Sequence, residues 1–289
     1  MSLGDLVRAV FRPGGSRSTE AARSPAVTPQ PAQNARGYLE GRSALIVGAG
    51  ANIGLGVARE LAREGARLSI TSASREELAV VADALRADGI SAPSLLSDIT
   101  ADGAEDTLVD ELDRLGFTPD LLVLNVGMHA ARGEPEVAEM ERMFRTNVIA
   151  PLHLARRLAA RMRAKSGGSI LFMSSIHQSV LFGEPLYSAT KAAVGMIVRE
   201  LAAEYASARI RVNAIAPGWV AAAADGAPLP HRLTPLYNSS IPPAFIGKAA
   251  VFLAADSLSG HTTGTVLVVD GGASLLNPIV SPAYLDERK

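Results

Sequence analysis

The chain has 289 residues, 48% of them hydrophobic, and a formal net charge of −1 at pH 7. This balanced charge gives no electrostatic footprint for nucleic acid, so nucleic-acid binding is not expected. The absence of cysteine excludes disulfides, thiolate metal sites and cysteine nucleophiles. The five histidines form no ligand-like pair, so no metal site is predicted. The length allows one large or two small domains.

Residues 1–40 have the proline-rich, polar composition of a flexible N-terminal leader. The leader starts with apolar residues at helical spacing, from Leu3 to Phe11, interrupted by charges. This start is either a short amphipathic helix that docks on a partner or membrane surface, or a frayed end. The charges argue against a secretory signal peptide, and no stretch is apolar enough to span a bilayer. We therefore expect a cytoplasmic protein without integral membrane association.

Residues 41–275 alternate short apolar runs with longer amphipathic segments, the pattern of repeated strand–helix units in one domain. The pattern predicts strands near 44–48, 67–71, 92–96, 121–125, 169–173, 209–214 and 265–269. It predicts helices at 54–64, 75–87, 102–115, 137–163, 187–206 and 243–255. The expected fold class is α/β: a single Rossmann-type, doubly wound parallel sheet of about seven strands with helices on both faces and a ligand crevice at the strands' carboxyl ends. Residues 276–289 form a C-terminal tail.

A glycine-rich turn follows the first predicted strand, with Gly48, Gly50 and Gly54 within seven residues. Glycines let the backbone turn sharply and approach a pyrophosphate, which the amino end of the next helix, near Ile53, binds through its N–H groups. The alternative role of these glycines is tight strand–helix packing. The position of the turn after the first strand favours nucleotide binding.

A Tyr-x-x-x-Lys pair, Tyr187 and Lys191, lies twelve residues after Ser175. In a helix over 187–206 the two side chains stand one turn apart on one face. A nearby ammonium favours the phenolate and lowers the pKa of tyrosine, which makes the phenol a workable general acid or base. The alternative is a coincidental pair on an amphipathic helix.

Together these motifs resemble the short-chain dehydrogenase/reductase family over residues 42–275. The turn is similar to the family's Thr-Gly-x-x-x-Gly-x-Gly, with Val47 in place of Thr and Asn52 in place of the middle Gly. Asparagine tolerates a left-handed backbone, so the turn is expected to survive this change. The resemblance adds further cofactor-binding residues: Asp98 and Ile99 near the adenine, Asn125 and Gly127 in a variant of Asn-Asn-Ala-Gly, and Pro217, Gly218 and Val220 beside the nicotinamide.

The resemblance also implies four catalytic residues and their roles. Tyr187 exchanges a proton with the substrate oxygen while a nicotinamide exchanges hydride with the carbon, and Ser175 holds that oxygen. Lys191 lowers the pKa of the tyrosine and contacts the nicotinamide ribose, and Asn147 holds a water that links Lys191 to solvent. Ser174 is the alternative catalytic serine, because it lies at the family's common interval of thirteen residues before the tyrosine.

The end of the second predicted strand indicates the nucleotide. An acid there would bind the ribose of NAD and repel a 2′-phosphate, but the segment contains Ser72, Ser74 and Arg75 instead. Their hydroxyls and guanidinium would accommodate the phosphate, which predicts NADP, with NAD not excluded. The alternative is that Arg75 only starts the next helix and pairs with Glu76 and Glu77 there.

Residues 221–245 resemble the family's variable substrate lid, and their scarcity of charge favours a neutral or apolar carbonyl compound or alcohol, although His231 and Arg232 would suit an acidic group. Two further sets either face the substrate or serve the loops that carry them: His177, Gln178 and Glu184, and also Met128 and His129. Small residues in helix 187–206, together with the resemblance, imply a homodimer or homotetramer.

The sequence thus predicts an NADP-dependent ketone reductase or secondary alcohol dehydrogenase. One alternative keeps the fold for a non-redox isomerase, dehydratase or cyclase. The other is a nucleotide-sensing binding protein, which would have no need of a proton relay.

Overall fold

A computed structural model describes residues 37–129, 135–165, 167–221, 227–230 and 234–276. Almost all of the predicted leader and tail, residues 1–36 and 277–289, lies outside these residues, as do 222–226 and 231–233 of the predicted lid. Within the described ranges, no helix combines the length and apolar character needed to cross a membrane.

The centre of the fold is a seven-stranded sheet in the order β3-β2-β1-β4-β5-β6-β7. All neighbouring strands are parallel. The fold-class prediction of a doubly wound Rossmann-type sheet is therefore confirmed. The strands are β1 (Ser43–Val47), β2 (Arg67–Ser72), β3 (Ser94–Leu96), β4 (Leu121–Leu124), β5 (Gly168–Met173), β6 (Ile210–Pro217) and β7 (Val266–Val269).

The helices of the described residues are α1 (Ile53–Arg63), α2 (Arg75–Ala87), α3 (Ala104–Arg114), α4 (Val137–Phe144), α5 (Ala150–Ala164), α6 (Pro185–Tyr205), α7 (Pro243–Ala254) and the short α8 (Asp256–Ser259). The segment predicted as one helix over 137–163 is interrupted by a π-helical turn at Arg145–Ile149, between α4 and α5. Such insertions occur mostly as single turns inside longer helices and often mark functional sites.

Both faces of the sheet are covered, which explains why its central strands are continuous apolar runs. Because successive strand residues point to opposite faces, β1 divides its side chains between two cores. Ala44 and Ile46 pack in the core that includes residues of α1, α2 and α7. Leu45 and Val47 pack in the core that includes residues of α3, α5 and α6.

Two glycines allow α1 and α7 to approach closely on one face. A Cβ atom on Gly56 would lie 2.6 Å from Cβ of Pro243, and one on Gly247 would lie 2.5 Å from the carbonyl oxygen of Gly56. These separations are shorter than real Cβ contacts, so any side chain here must push the helices apart. The contact fixes the position of α1, whose amino end follows the glycine-rich turn.

We expect Gly247→Ala to destabilise the protein by about 1–3 kcal/mol through overpacking, although alanine alone favours a helix by about 1 kcal/mol. The free energy of unfolding in urea checks this. The control is Lys248→Ala, at an exposed position of the same helix, which should change stability by no more than about 0.5 kcal/mol. Equal stability of the Gly247 variant and the wild type would contradict the close-contact interpretation.

Candidate active site

A cleft of about 1310 Å³ lies where the carboxyl ends of the strands meet. Segments that follow all seven strands line it. Pockets for drug-sized ligands occupy about 300–1,000 Å³, so this cleft has room for a dinucleotide together with a small substrate. This is the edge at which doubly wound sheets bind their ligands.

The predicted glycine-rich turn forms the floor of one end of the cleft. Gly48 has a φ of +80°, the left-handed region that favours glycine. A Cβ atom on Gly48 would lie 3.0 Å from the backbone of Asn125. The Asn125 amide Nδ2 donates to the carbonyl oxygen of Gly48 at 2.6 Å. The turn after β1 is thereby fastened to the segment after β4.

Asn52 does not adopt the left-handed backbone that the sequence led us to expect, because its φ is −102°. Its side chain makes no capping bond to α1 and donates instead to the carbonyl oxygen of Val220 at 3.0 Å. This bond joins the turn to the segment after β6. The amino end of α1 borders the cleft at Ile53 and Gly54 and presents the positive end of the helix dipole to an anionic ligand.

Most of the predicted cofactor-binding residues line this one cleft: Gly48, Gly50, Asn52, Ile53, Gly54, Ser72, Asp98, Ile99, Asn125, Gly127, Tyr187, Lys191, Pro217, Gly218 and Val220. Ser74 and Arg75 are not among the lining residues. Ser74 is the N-cap of α2, where its Oγ accepts from the Glu77 amide at 3.2 Å and donates to Glu76 Oε2 at 2.9 Å. Arg75 is an exposed first residue of that helix. Helix capping therefore accounts for Ser74, and the predicted role of both residues as phosphate ligands stays a prediction.

Tyr187 lies in the first turn of α6, with 9% of its surface exposed, and lines the cleft together with Ser175. Burial raises the pKa of Tyr187 to about 12; the Ser175 hydrogen bond opposes this rise and the Glu184 charge adds to it. The net shift is therefore opposite to the lowered pKa expected from the sequence, because removal of the phenol from water dominates.

Lys191 lies one turn further along α6 and is almost fully buried, with 3% of its surface exposed. Its Nζ donates to the carbonyl oxygen of Met173 at 3.0 Å and lies 5.5 Å from the centre of the Tyr187 ring. Burial lowers the pKa of Lys191 to about 8. A Cβ atom on Gly127 would lie 3.2 Å from this Nζ, a tight contact, and 3.7 Å from Asn147 Oδ1, an ordinary one, so a side chain there would require Nζ to shift by a few tenths of an ångström.

Asn147 lies in the π-helical turn and is buried behind the cleft lining. Its Oδ1 accepts from the Met128 amide at 2.8 Å, and its Nδ2 donates to the Met128 carbonyl at 3.0 Å and to Thr190 Oγ1 at 3.1 Å. The side chain therefore holds the loop after β4 against α6. Its predicted role in holding a water beside Lys191 stays a prediction.

The two candidate serines have different surroundings. Ser174 Oγ donates to the backbone carbonyl of Lys191 at 3.1 Å, which fastens β5 to α6. Ser175 also lines the cleft, and it is the serine whose side chain acts on the phenol by lowering the Tyr187 pKa. This geometry supports Ser175 as the residue that would hold a substrate oxygen.

Two histidines and a carboxylate surround the Tyr187 ring. The His129 ring stacks on it at a centroid distance of 3.8 Å, and the His177 ring meets it edge-on at 5.0 Å. His129 Nδ1 lies 3.3 Å from Glu184 Oε2. Burial lowers the pKa of His177, which favours the neutral imidazole. The sequence left open whether five loop residues face the substrate or serve the loops that carry them. Four of these five line the cleft: Met128, His129, His177 and Glu184.

Gln178 is not among the lining residues, and it packs on α6 instead. A Cβ atom on Gly195 would lie 2.9 Å from its Oε1. Several further residues line the cleft without a motif that predicts them, and only the fold brings them there, among them Glu77, Arg142, Thr146, Phe182 and Leu276. Within the described parts of the predicted lid, 227–230 and 234–245, no residue lines the cleft, whereas Trp219 and Val220 just before it do.

The described residues contain no group of three side chains suited to a metal ion.

Comparisons with known proteins agree with this geometry. The sequence model of a family described as enoyl-(acyl carrier protein) reductase matches residues 48–274. The oxidoreductase UcpA of Escherichia coli strain K12 is 32% identical over 256 residues, which cover 83% of this chain and 97% of UcpA. The chain belongs to the short-chain dehydrogenase/reductase family.

Two solved structures with the same fold carry different nucleotides. A gluconate 5-dehydrogenase from Burkholderia cenocepacia J2315, in complex with NADP and tartrate, has a TM-score of 0.71 at 28% identity and covers 83% of this chain and 97% of its own. A 7α-hydroxysteroid dehydrogenase complexed with NADH and 7-oxo glycochenodeoxycholic acid has a TM-score of 0.72 at 29% identity and covers 81% and 94%. The family assignment makes the chain an NAD(P)-dependent oxidoreductase of carbonyl compounds or alcohols.

The buried ammonium of Lys191 gives a test that needs no substrate. At pH 7 we expect Lys191→Met to raise the midpoint of urea unfolding, because the charged group is costly to bury. This advantage should shrink from about pH 8 to 10.5, where folded wild-type Lys191 becomes neutral while the unfolded chain still binds the proton.

The comparison variant is Lys248→Met, at an exposed position, for which no such trend is expected. An advantage of the Lys191 variant that stays constant across this pH range would show that burial does not lower the pKa of Lys191.

Proposed function

We propose that the protein reduces a ketone, or oxidises a secondary alcohol, with Tyr187 as the proton donor or acceptor at the substrate oxygen. The observation that carries this proposal is the buried Tyr187–Ser175 pair, which shares one cleft with the glycine-rich turn and with Lys191. A bound nicotinamide nucleotide supplies or accepts the hydride. The fit of such a group is supported by the size of the cleft, by the amino end of α1 and by the open surface of Gly50, where a Cβ atom would meet only Glu77 within 4 Å.

The local chemistry suits the reducing direction at neutral pH. With its pKa raised to about 12, Tyr187 keeps its proton until an alkoxide develops on the substrate, and then donates it. The Ser175 hydroxyl orients the same oxygen. When Lys191 is protonated, its ammonium below the Tyr187 ring stabilises the phenolate that is left after Tyr187 has donated its proton. Return of a proton to Tyr187 completes the cycle.

The wall of the cleft near Tyr187 favours an apolar ketone. Val180, Leu181 and Phe182 line it on the side of the serine loop, and Trp219 and Leu276 line it elsewhere. Neutral His177, stacked on Phe182 at a ring-centroid distance of 4.4 Å, adds an aromatic surface with one polar edge. These contacts support a substrate with a carbonyl group on a largely apolar body.

The nucleotide preference predicted from the sequence, NADP, depended on three groups. Ser74 and Arg75 lie outside the cleft lining, and the hydroxyl of Ser72 donates to Glu77 Oε2 at 3.3 Å. The contacts at the end of β2 therefore give the NADP preference no support, and it stays a prediction.

The cytoplasmic location also stays a prediction from the sequence.

Substitution of the phenol tests the proposal. A panel of apolar ketones is assayed with NADH and with NADPH through loss of the reduced-nicotinamide absorbance. Tyr187→Phe should lower turnover by about 10²–10⁴-fold while leaving the affinity for nucleotide within about twofold of wild type. Retained turnover would contradict the acid–base role.

The two serines provide a matched pair in the same assay. Ser175→Ala should lower turnover by about 10²-fold, as for loss of a group that holds a reacting oxygen. Ser174→Ala should mainly lower stability, by about 1 kcal/mol, through loss of its bond to the Lys191 carbonyl. The reverse order of effects would assign the catalytic role to Ser174.

We also propose a homodimer or homotetramer that uses α6 and the π-helical turn. The two segments pack together, and each presents an exposed apolar side chain, Met196 at 54% and Ile149 at 56%. Ala189 and Ala192 are exposed on α6 as well, which lets another helix approach closely.

Light scattering after size-exclusion chromatography measures the assembly. Met196→Glu should reduce the mass to that of a smaller assembly or a monomer, because a carboxylate would be buried without a partner. Val80→Glu introduces the same charge at an exposed position of α2 and should leave the mass unchanged. A monomeric wild type would contradict this proposal.

A further inference from the structure

The carboxylate of Glu77 occupies a defined place at the edge of the cleft. Its Oε2 accepts a hydrogen bond from Oγ of Ser72 at 3.3 Å. Ser72 is the last residue of β2. The same Oε2 atom would lie 3.9 Å from a Cβ atom on Gly50, in the glycine-rich turn. Glu77 itself lines the cleft. A negatively charged group therefore lies between the end of β2 and the turn that would bind the pyrophosphate.

In dinucleotide-binding sheets, the space between these two segments receives the ribose of the adenosine half, and an acid there hydrogen-bonds its 2′-hydroxyl. Strand β2 of this chain ends without an acid, at Ser72 and Ala73. The first turn of α2 brings a carboxylate to the same place from five residues further along the chain. A search for an acid only at the end of β2 therefore overlooks Glu77.

We propose that Glu77 sets the nucleotide preference of this protein in favour of NAD(H), by accepting hydrogen bonds from the adenosine ribose and repelling the 2′-phosphate of NADP(H). This inference rests on the proposed function, because it requires the cleft to bind a nicotinamide nucleotide. Like charges a few ångströms apart at the edge of a protein repel strongly, whereas a ribose hydroxyl donates readily to a carboxylate.

Helix capping by Ser74 and Glu77 does not account for this position. In a capping box, the glutamate at the third helical position accepts from the backbone N–H of the N-cap residue. Here that N–H, of Ser74, donates to Ser72 Oγ at 3.2 Å, and Ser72 in turn donates to Glu77. The carboxylate is thus held towards the cleft by a side chain at the strand end.

Glu76 provides a matched control in the same helical turn. It accepts from Ser74 Oγ at 2.9 Å and is not among the residues that line the cleft. Replacing either glutamate by glutamine removes one negative charge from the protein and from the first turn of α2. The two positions therefore separate a contact with ribose from a general electrostatic effect.

The test is fluorescence titration of the full chain and of its Glu77→Gln and Glu76→Gln variants with NADH and with NADPH. Glutamine retains the shape and the capping ability of glutamate. Wild type should bind NADH at least about 10-fold more tightly than NADPH, which corresponds to about 1.4 kcal/mol. Glu77→Gln should reduce this ratio by about 10-fold, mainly through tighter NADPH binding, and Glu76→Gln should leave it unchanged.

Titration with 5′-AMP and with adenosine 2′,5′-bisphosphate separates the ribose contact from the nicotinamide end of the cleft. Weaker binding of the bisphosphate to wild type than to Glu77→Gln supports the proposal. A wild type that prefers NADPH overturns it even if the variant fails to fold, and so does an unchanged preference in a folded Glu77→Gln. Binding of neither dinucleotide would instead contradict the proposed function itself.

Discussion

Because all seven strands run in one direction, the segments that follow them emerge at the same edge of the sheet and enclose one cleft. Specific bonds fasten these segments to one another. Asn125 joins the loop after β4 to the turn after β1, and Asn52 joins that turn to the segment after β6. Asn147 and Ser174 then hold the loop after β4 and the end of β5 against α6. The geometry of the reactive groups follows from this single parallel arrangement.

The cost of removing ionisable groups from water determines the chemistry of that cleft. Burial raises the pKa of Tyr187 and lowers that of Lys191, so each is pushed towards its neutral form. A neutral phenol suits proton donation to an oxygen that becomes basic during reduction. We expect the buried Lys191 ammonium beneath the reacting tyrosine to cost stability, in line with the general conflict between stability and activity at such sites.

The sequence predicted the seven strands, the major helices and most of the cleft, because period, glycine spacing and motif order are local properties of the chain. It did not predict that Glu77, and not Ser74 or Arg75, lines the cleft, because the direction of a side chain in the first turn of α2 depends on the hydrogen bonds made there. It also assigned a lowered pKa to Tyr187, because the burial that raises this pKa depends on the packing of α6 on the sheet. The φ of Asn52 likewise follows from its bond to Val220, which is distant in sequence.

The proposed function depends on hydride transfer between a nucleotide and a carbonyl carbon beside Tyr187. The most direct measurement uses NADH with deuterium in place of both hydrogens on the reactive carbon of the nicotinamide, with mass spectrometry of the product formed from a ketone. We expect one deuterium to enter the carbinol carbon for each nucleotide oxidised. Conversion of the ketone with no deuterium in the product and no net oxidation of the nucleotide would contradict it, and would assign the fold to isomerisation, dehydration or cyclisation.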